Sequence, residues 1–251
     1  MHHIGGEVPR LVCVQGDVDT DGSKPVYRHP SDRSLPLEPM SDTVEAIRRK
    51  VQVAVGHPLN HVLIQLYRRP QDYISEHSDK TLDIKWGSNI VNVSFGAERT
   101  MRLRTKRTIL ASGVPTMQDL RRTKQLIPMP DGSVFIMGPK TNAKWLHGIM
   151  ADKRREVERS QGERAYGGER ISLTFRWIDT FLDKEERLIW GQGAKGKTYE
   201  ESQTVINSNH LESEGLLQAF GRENQSSEYC WHDIYGVGSN VLHFRLPAPA
   251  F

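Results

Sequence analysis

The stretch Arg170-Ile171-Ser172-Leu173-Thr174-Phe175-Arg176-Trp177 carries the cleanest alternation in the chain. Successive side chains of a strand leave opposite faces of the sheet. Ile171, Leu173, Phe175 and Trp177 therefore make one apolar face, and Arg170, Ser172, Thr174 and Arg176 make the other. In water the second face is ordinary strand surface. Inside a core, two guanidinium groups are tolerated only with anionic partners. The choice between these readings depends on two upstream segments, His77-Ser78-Asp79 and Trp145-Leu146-His147-Gly148.

Two imidazoles and one carboxylate on one face of a metal, with the other positions open, form the facial triad of non-haem Fe(II) oxygenases. His77 and Asp79 are two residues apart, so on a strand both would leave the same face, and His147 would have to come from a strand distant in sequence. An H-x-D tripeptide alone is weak in a chain with ten histidines. It gains meaning from the buried-anion argument, because paired arginines are suited to hold an oxo-acid co-substrate.

Composition sets the bounds. The 251 residues are 37% hydrophobic and 26% charged, with a formal net charge of +3, as expected of a globular chain that permits nucleic acid as a partner without demanding it. Two cysteines, Cys13 and Cys230, are too few for a disulfide framework, so a cytosolic or nuclear setting is expected. No apolar run approaches a membrane span, the first residues lack a signal-peptide pattern, and His2-His3 is given no role.

In chain order, Leu11–Val14 reads as a short strand, and residues 27–39 as extended because of their prolines, with His29 and Asp32 in a solvated loop. Asp42 and Glu45 have capping-box spacing ahead of a helix whose stripe is Val44, Ile47, Val51 and Val55, ended by Gly56-His57-Pro58. Such a helix supports a sheet. Strands are expected at 62–67, with Gln65 and Tyr67 on one face, and at 90–95, 100–106, 133–137 and 144–149. Residues 72–79 should turn into the strand that carries His77. Arg102, Arg104 and Lys106 form a basic, solvated strand face. Residues 107–131 are expected to be irregular apart from a helical turn near 117–122, and residues 151–169 a mobile excursion. Many short strands with few helices indicate a mainly β, antiparallel sandwich or barrel.

The ordered set Gln65-Leu66-Tyr67, His77-Ser78-Asp79-Lys80, Ser94-Phe95-Gly96, Leu146-His147-Gly148-Ile149 and Arg170–Arg176 resembles the AlkB-type Fe(II)/2-oxoglutarate-dependent dioxygenases over about residues 60–177. Each piece is weak, and five in order are specific. The resemblance implies a double-stranded β-helix, or jelly roll, within one domain: an N-terminal extension and support helix at 1–60, a catalytic core at 61–177 and a C-terminal extension at 178–251. It implies His77, Asp79 and His147 as iron ligands, and Fe(II), 2-oxoglutarate and O2 as the reagents. Arg170 would grip the distal carboxylate of 2-oxoglutarate, and Arg176 would sit near the proximal one and Asp79. Tyr67, Gln65, Ser172 and Thr174 would complete the co-substrate pocket, and Thr81, Trp145 and Trp231 would border the substrate. Gln65 and Ser172 stand where the family has asparagines, so contacts to the co-substrate must be rearranged. Thr81 stands where the family often has a base-reading acid.

That last departure and the modest basicity favour a small-molecule oxygenase acting on an amino acid or metabolite. The alternative is a demethylase of alkylated nucleic acid or protein, kept open by basic residues at 99–107 and 153–159. A catalytically silent jelly-roll module is disfavoured by the intact triad and Arg170. Gly191-Gln192-Gly193-Ala194-Lys195-Gly196-Lys197-Thr198 matches a phosphate-loop pattern but lacks βαβ surroundings, and reads as a flexible basic hairpin or loop. Trp231 and Tyr235, read on a strand, would pack over the core or line the substrate pocket.

Overall fold

A computed structural model describes residues 9–30, 35–107 and 122–244. Its centre is a six-stranded sheet in the order Leu37–Pro39, Leu11–Gly16, His61–Tyr67, Arg170–Arg176, Ile90–Gly96, Val134–Met137. Only the pairing of the first two strands is parallel. A second, fully antiparallel sheet runs Ile74–His77, Trp145–Ile149, Arg99–Thr105, Lys124–Met129. Tyr67 of the first sheet packs with Met101, Leu103, Met129 and Ile149 of the second, so the two sheets face one another across a core, as a jelly roll requires.

The Arg170–Arg176 strand lies between His61–Tyr67 and Ile90–Gly96, and its two faces have different fates. Leu173 and Phe175 pack with Val44 and Val51 of the helix Asp42–Val55 on the outside of the sheet. The arginine face looks inward, toward the second sheet. The helix forms where the apolar stripe predicts, and Gly56 ends it in the left-handed region at φ 72°. Its cap differs from the expectation. Ser41 precedes the helix without a side-chain cap, Asp42 is the first helical residue, and Glu45 instead pairs with Arg48 and Arg49 one turn on.

Other expectations are corrected. Lys124–Met129 is a strand, hidden in the sequence by Pro128 and Pro130; as an edge strand it tolerates a missing amide. The turn expected at 117–122 lies almost wholly outside the described residues. Residues 151–169 fold into short helical turns tied by Arg154 and Arg159 to Asp152, and by Arg154 to Glu163. Arg102 and Arg104 do not form a free basic face, because both pair with the largely buried Glu76 on the neighbouring sheet edge. Trp231–Tyr235 is a short helix, not a strand. His29 is half-buried against Tyr27 rather than solvated.

Beyond residue 176 the chain adds three strands that join Lys24–Pro25 in a small sheet, in the order Gln203–Thr204, Leu188–Gly191, Thr180–Leu182, Lys24–Pro25, and then the helix His210–Gln225. An unanticipated ion pair joins these parts. The Arg28 guanidinium bonds Asp83 at 2.6 Å with both side chains fully buried, and donates to the carbonyls of Gly193, Ser239 and Val241.

The glycine-rich segment forms a tight loop after Leu188–Gly191 and runs on to Gln203–Thr204 without a helix. The Lys197 ammonium donates to the carbonyls of Gln192, Ala194 and Val237 at 3.0, 2.6 and 2.8 Å. A phosphate loop needs that lysine free and a helix N-terminus behind it, and neither condition is met. We predict that Mg-ATP leaves the thermal unfolding midpoint unchanged, and that Lys197→Ala destabilises the chain by about 1–2 kcal/mol through loss of these bonds. A midpoint raised by Mg-ATP and no longer raised in Lys197→Ala would contradict this.

Candidate metal centre and co-substrate pocket

The strand Ile74–His77 ends at the first expected ligand. His77 and His147 are direct cross-strand partners with ring centroids 4.4 Å apart. A bulge lies beside them, since the pairing shifts between His147 and Ile149. Gly148 faces it, and a Cβ there would lie 2.9 Å from the Ile74 carbonyl oxygen, which explains the glycine after His147. Asp79 lies beyond the strand end, so it reaches His77 by a turn of the backbone and not by strand alternation. An Asp79 Oδ1 atom stands 3.8 Å from His77 Nε2 and 3.6 Å from His147 Nε2. One ligand atom from each of the three residues falls within 4.8 Å of the others, a spacing that admits one metal ion.

Each candidate ligand is prepared by its neighbours. The Ser75 carbonyl lies 2.8 Å from His77 Nδ1, which holds the proton there and leaves the Nε2 lone pair for a metal. Burial, followed by the adjacent His147, pushes the His77 pKa down to about 3. Burial also depresses His147. Both rings are therefore neutral, as ligands must be. For the buried Asp79, desolvation is the largest influence and would favour the neutral acid, but the Arg176 guanidinium, His147 and His77 together outweigh it and hold the carboxyl far below the usual range. Arg176 Nε and Nη2 reach Asp79 Oδ2 at 2.8 and 2.7 Å, and the Arg176 charge lies 4.2 Å from the Tyr27 ring centroid. The resemblance placed Arg176 near Asp79, and the geometry makes it the direct partner.

Next to the triad, the polar face of the deciding strand closes a cavity with Gln65, Tyr67 and Asn92. Arg170 is 1% exposed. Its Nη2 donates to Ser94 Oγ at 2.7 Å and to Asn92 Oδ1 at 3.4 Å, while its Nε and Nη1 have no partner. No carboxylate among the described residues pairs with it. The Tyr67 ring centroid lies 5.1 Å from the Arg170 guanidinium and 5.7 Å from that of Arg99. A buried guanidinium that lines this cavity without a carboxylate partner suits a planar carboxylate, so the donor set fits 2-oxoglutarate.

Sequence reasoning missed Asn92. Its Nδ2 donates to Ser172 Oγ at 2.8 Å and to Thr174 Oγ1 at 2.9 Å, while its Oδ1 accepts from Arg170. This is the rearrangement that Gln65 and Ser172 demanded, since one asparagine on the neighbouring strand organises the pocket. Its signal was present, because Asn92 alternates onto the face of Ser94 in the strand that ends at Gly96. Gly96 itself has φ 91°, and a Cβ would collide with the Glu169 carbonyl. Asn142 was also missed. It brackets Asp79, accepting from its amide at 3.0 Å and donating to its carbonyl at 2.9 Å. Thr81, Trp145 and Trp231 stand outside the lining of this cavity. Trp145 packs against the inter-sheet core, and Trp231 donates to the Thr81 carbonyl at 3.2 Å.

A jelly roll that presents two histidines and a carboxylate beside a buried arginine belongs to the mononuclear oxo-acid oxygenase class. The family model for the 2OG-Fe(II) oxygenase superfamily matches residues 1–176, and the chain belongs to that superfamily. Human DNA oxidative demethylase ALKBH2 is 31% identical over 171 residues, 68% of this chain and 57% of the relative. Its bovine counterpart is 30% identical over 171 residues, covering 68% and 54%. Human alpha-ketoglutarate-dependent dioxygenase alkB homolog 3 is 28% identical over 170 residues, covering 68% and 52%. The match thus spans little more than half the length of these relatives.

Buried neutral histidines have a pH consequence. His61, which pairs across strands with Arg176, is 4% exposed with no partner at Nδ1. Burial first, then Arg176, lowers its pKa from 6.5 to about 3. Between those values the unfolded chain binds a proton that the fold refuses, so stability rises with pH across this window and is lost as pH falls. His29, depressed by burial to about 4, adds in the same direction. We predict that the unfolding free energy of the metal-free chain, measured in urea, drops as pH falls below about 6.5, with a shallower slope in His61→Gln. An unaltered slope in that variant would contradict the assignment.

Proposed function

We propose that this chain is an Fe(II)/2-oxoglutarate-dependent oxygenase that demethylates alkylated nucleic acid. The observation that carries the reaction class is Arg170, buried with two free donors beside the His77, Asp79 and His147 triad. When bound, Fe(II) and 2-oxoglutarate supply the oxidising chemistry, coupling oxidation of one C–H bond by O2 to release of succinate and CO2. The chain's own residues prepare that event. His77 and His147 offer neutral nitrogens, and Arg176 keeps Asp79 ionised. Arg170 would hold the distal carboxylate, and Asn92 fixes the hydroxyls of Ser172 and Thr174 beside it. The enclosing sheets exclude water, which strengthens each of these charge interactions.

The small-molecule substrate favoured by sequence finds no support among the relatives, two of which are named as DNA demethylases. Their names support nucleic acid as the substrate class. One observation favours a metabolite. The basic stretches at 99–107 and 153–159 are largely neutralised, with Arg102 and Arg104 on Glu76, and Arg154 and Arg159 on Asp152. No helix among the described residues is long and apolar enough to cross a membrane. Free Cys13 and Cys230 support a nuclear or cytosolic setting.

Two measurements test this reading. Succinate release with iron and 2-oxoglutarate should be stimulated by methylated single- or double-stranded oligonucleotides and by none of a panel of free amino acids; the reverse pattern would return the metabolite reading. His147→Ala should abolish turnover in both. Arg170→Lys keeps the charge but loses the fork, removing a charge-assisted bond worth on the order of 1.5–3 kcal/mol. Its KM for 2-oxoglutarate should rise roughly ten- to more than a hundredfold, with iron affinity little changed. A wild-type 2-oxoglutarate dependence in Arg170→Lys and Arg170→Ala would show that the anchor lies elsewhere.

A further inference from the structure

The loop that bears Asp79 has left its strand, so its backbone has no ladder to satisfy it. Residues 78–80 are nevertheless buried. Each of four consecutive amides donates to a side chain from a different residue. Ser78 donates to Asn224 Oδ1 at 2.9 Å and Asp79 to Asn142 Oδ1 at 3.0 Å. Lys80 donates to the Tyr27 hydroxyl at 2.9 Å and Thr81 to Glu223 Oε1 at 3.0 Å. Two of these acceptors, Glu223 and Asn224, sit at the C-terminal end of the helix His210–Gln225, beyond the segment matched by the family model.

The helix end is built for this contact. Asn224 Oδ1 also accepts from Ser78 Oγ and from the buried Lys80 ammonium, each at 3.1 Å. Glu223 is fully buried and accepts from Thr81 Oγ1 at 2.7 Å, from Tyr229 at 2.9 Å and from Tyr235. Lys106, at the end of a core strand, donates to the Glu223 carbonyl at 2.7 Å. Behind the contact, Leu216, Ala219 and Phe220 share an apolar cluster with Leu82, the next residue of the loop.

We propose that Asn224 is a positioning residue for the metal centre and that the C-terminal helix is a structural part of that centre. Asp79 must stand at a set distance from His147, which comes from a separate strand. A loop free to shift by a fraction of an ångström would lose that distance. Asn142 holds Asp79 directly, and Asn224 holds the residues on either side of it. Groups that orient metal ligands typically change metal affinity about ten- to a hundredfold when removed.

This inference rests on the triad binding a divalent metal, and the test separates the two. The probe is Mn(II), titrated by calorimetry into the full chain at saturating 2-oxoglutarate. Asn224→Ala should weaken Mn(II) binding about ten- to a hundredfold. Asn224→Asp, which keeps an acceptor for Ser78 and adds a charge opposite Lys80, should restore it. Equal affinity in wild type and Asn224→Ala, or equal weakening in both variants, overturns the proposal alone. A wild-type chain that binds no Mn(II) overturns the metal reading and this proposal with it. The unaltered chain gives a second measurement. Because coupling is reciprocal, Mn(II) should slow amide exchange in residues 210–225 as well as in 78–81. Protection confined to the loop overturns the proposal.

Discussion

The buried carboxylate of Asp79 constrains much of what surrounds it. A carboxylate taken from water into a protein interior is unstable unless paired and hydrogen-bonded, and would otherwise protonate and cease to be a good metal ligand. Arg176 meets that demand from the central strand of the large sheet, and can do so only because its strand face looks inward. The inward aim in turn depends on the opposite face, Leu173 and Phe175, being claimed by the helix Asp42–Val55. Helix packing on the outside of the sheet thus helps aim Arg176 at Asp79 on the inside. The coupling is mechanical, since a strand cannot rotate one face without the other.

Arg170 presents the complementary problem, a buried cation without an anion. Its contact with the Tyr67 ring and its bonds to Ser94 and Asn92 only partly compensate the loss of water, and Arg99, also beside Tyr67, adds a second positive charge. Such a pocket is held in place by the surrounding packing, and a bound dianion relieves it. The two arginines thus differ: Arg176 is paired with Asp79, while Arg170 has no carboxylate partner among the described residues.

Much of this was legible because alternation is a local property. The faces of 170–177 and the strand at 90–95 could be read from side-chain type at fixed spacing. Other features were misread for local reasons. Pro128 and Pro130 disguised an edge strand, and the charges of 151–169 concealed turns held by their own ion pairs. Arg102 and Arg104 read as solvated because their partner Glu76 is brought alongside by pairing of the Ile74–His77 and Trp145–Ile149 strands.

By itself the sequence determined the strand faces, the support helix and the residue types of the candidate metal site, and its resemblance singled out Arg170, because each is set by spacing within a few residues or by a motif. Only the tertiary structure decided which side chains complete them. Asn92, Asn142, Glu223 and Asn224 are ordinary polar residues with no local pattern, and each acquires its role from a partner far away in the chain. Hydrogen bonds are short and directional, so such roles exist only once the fold has placed donor and acceptor about 3 Å apart.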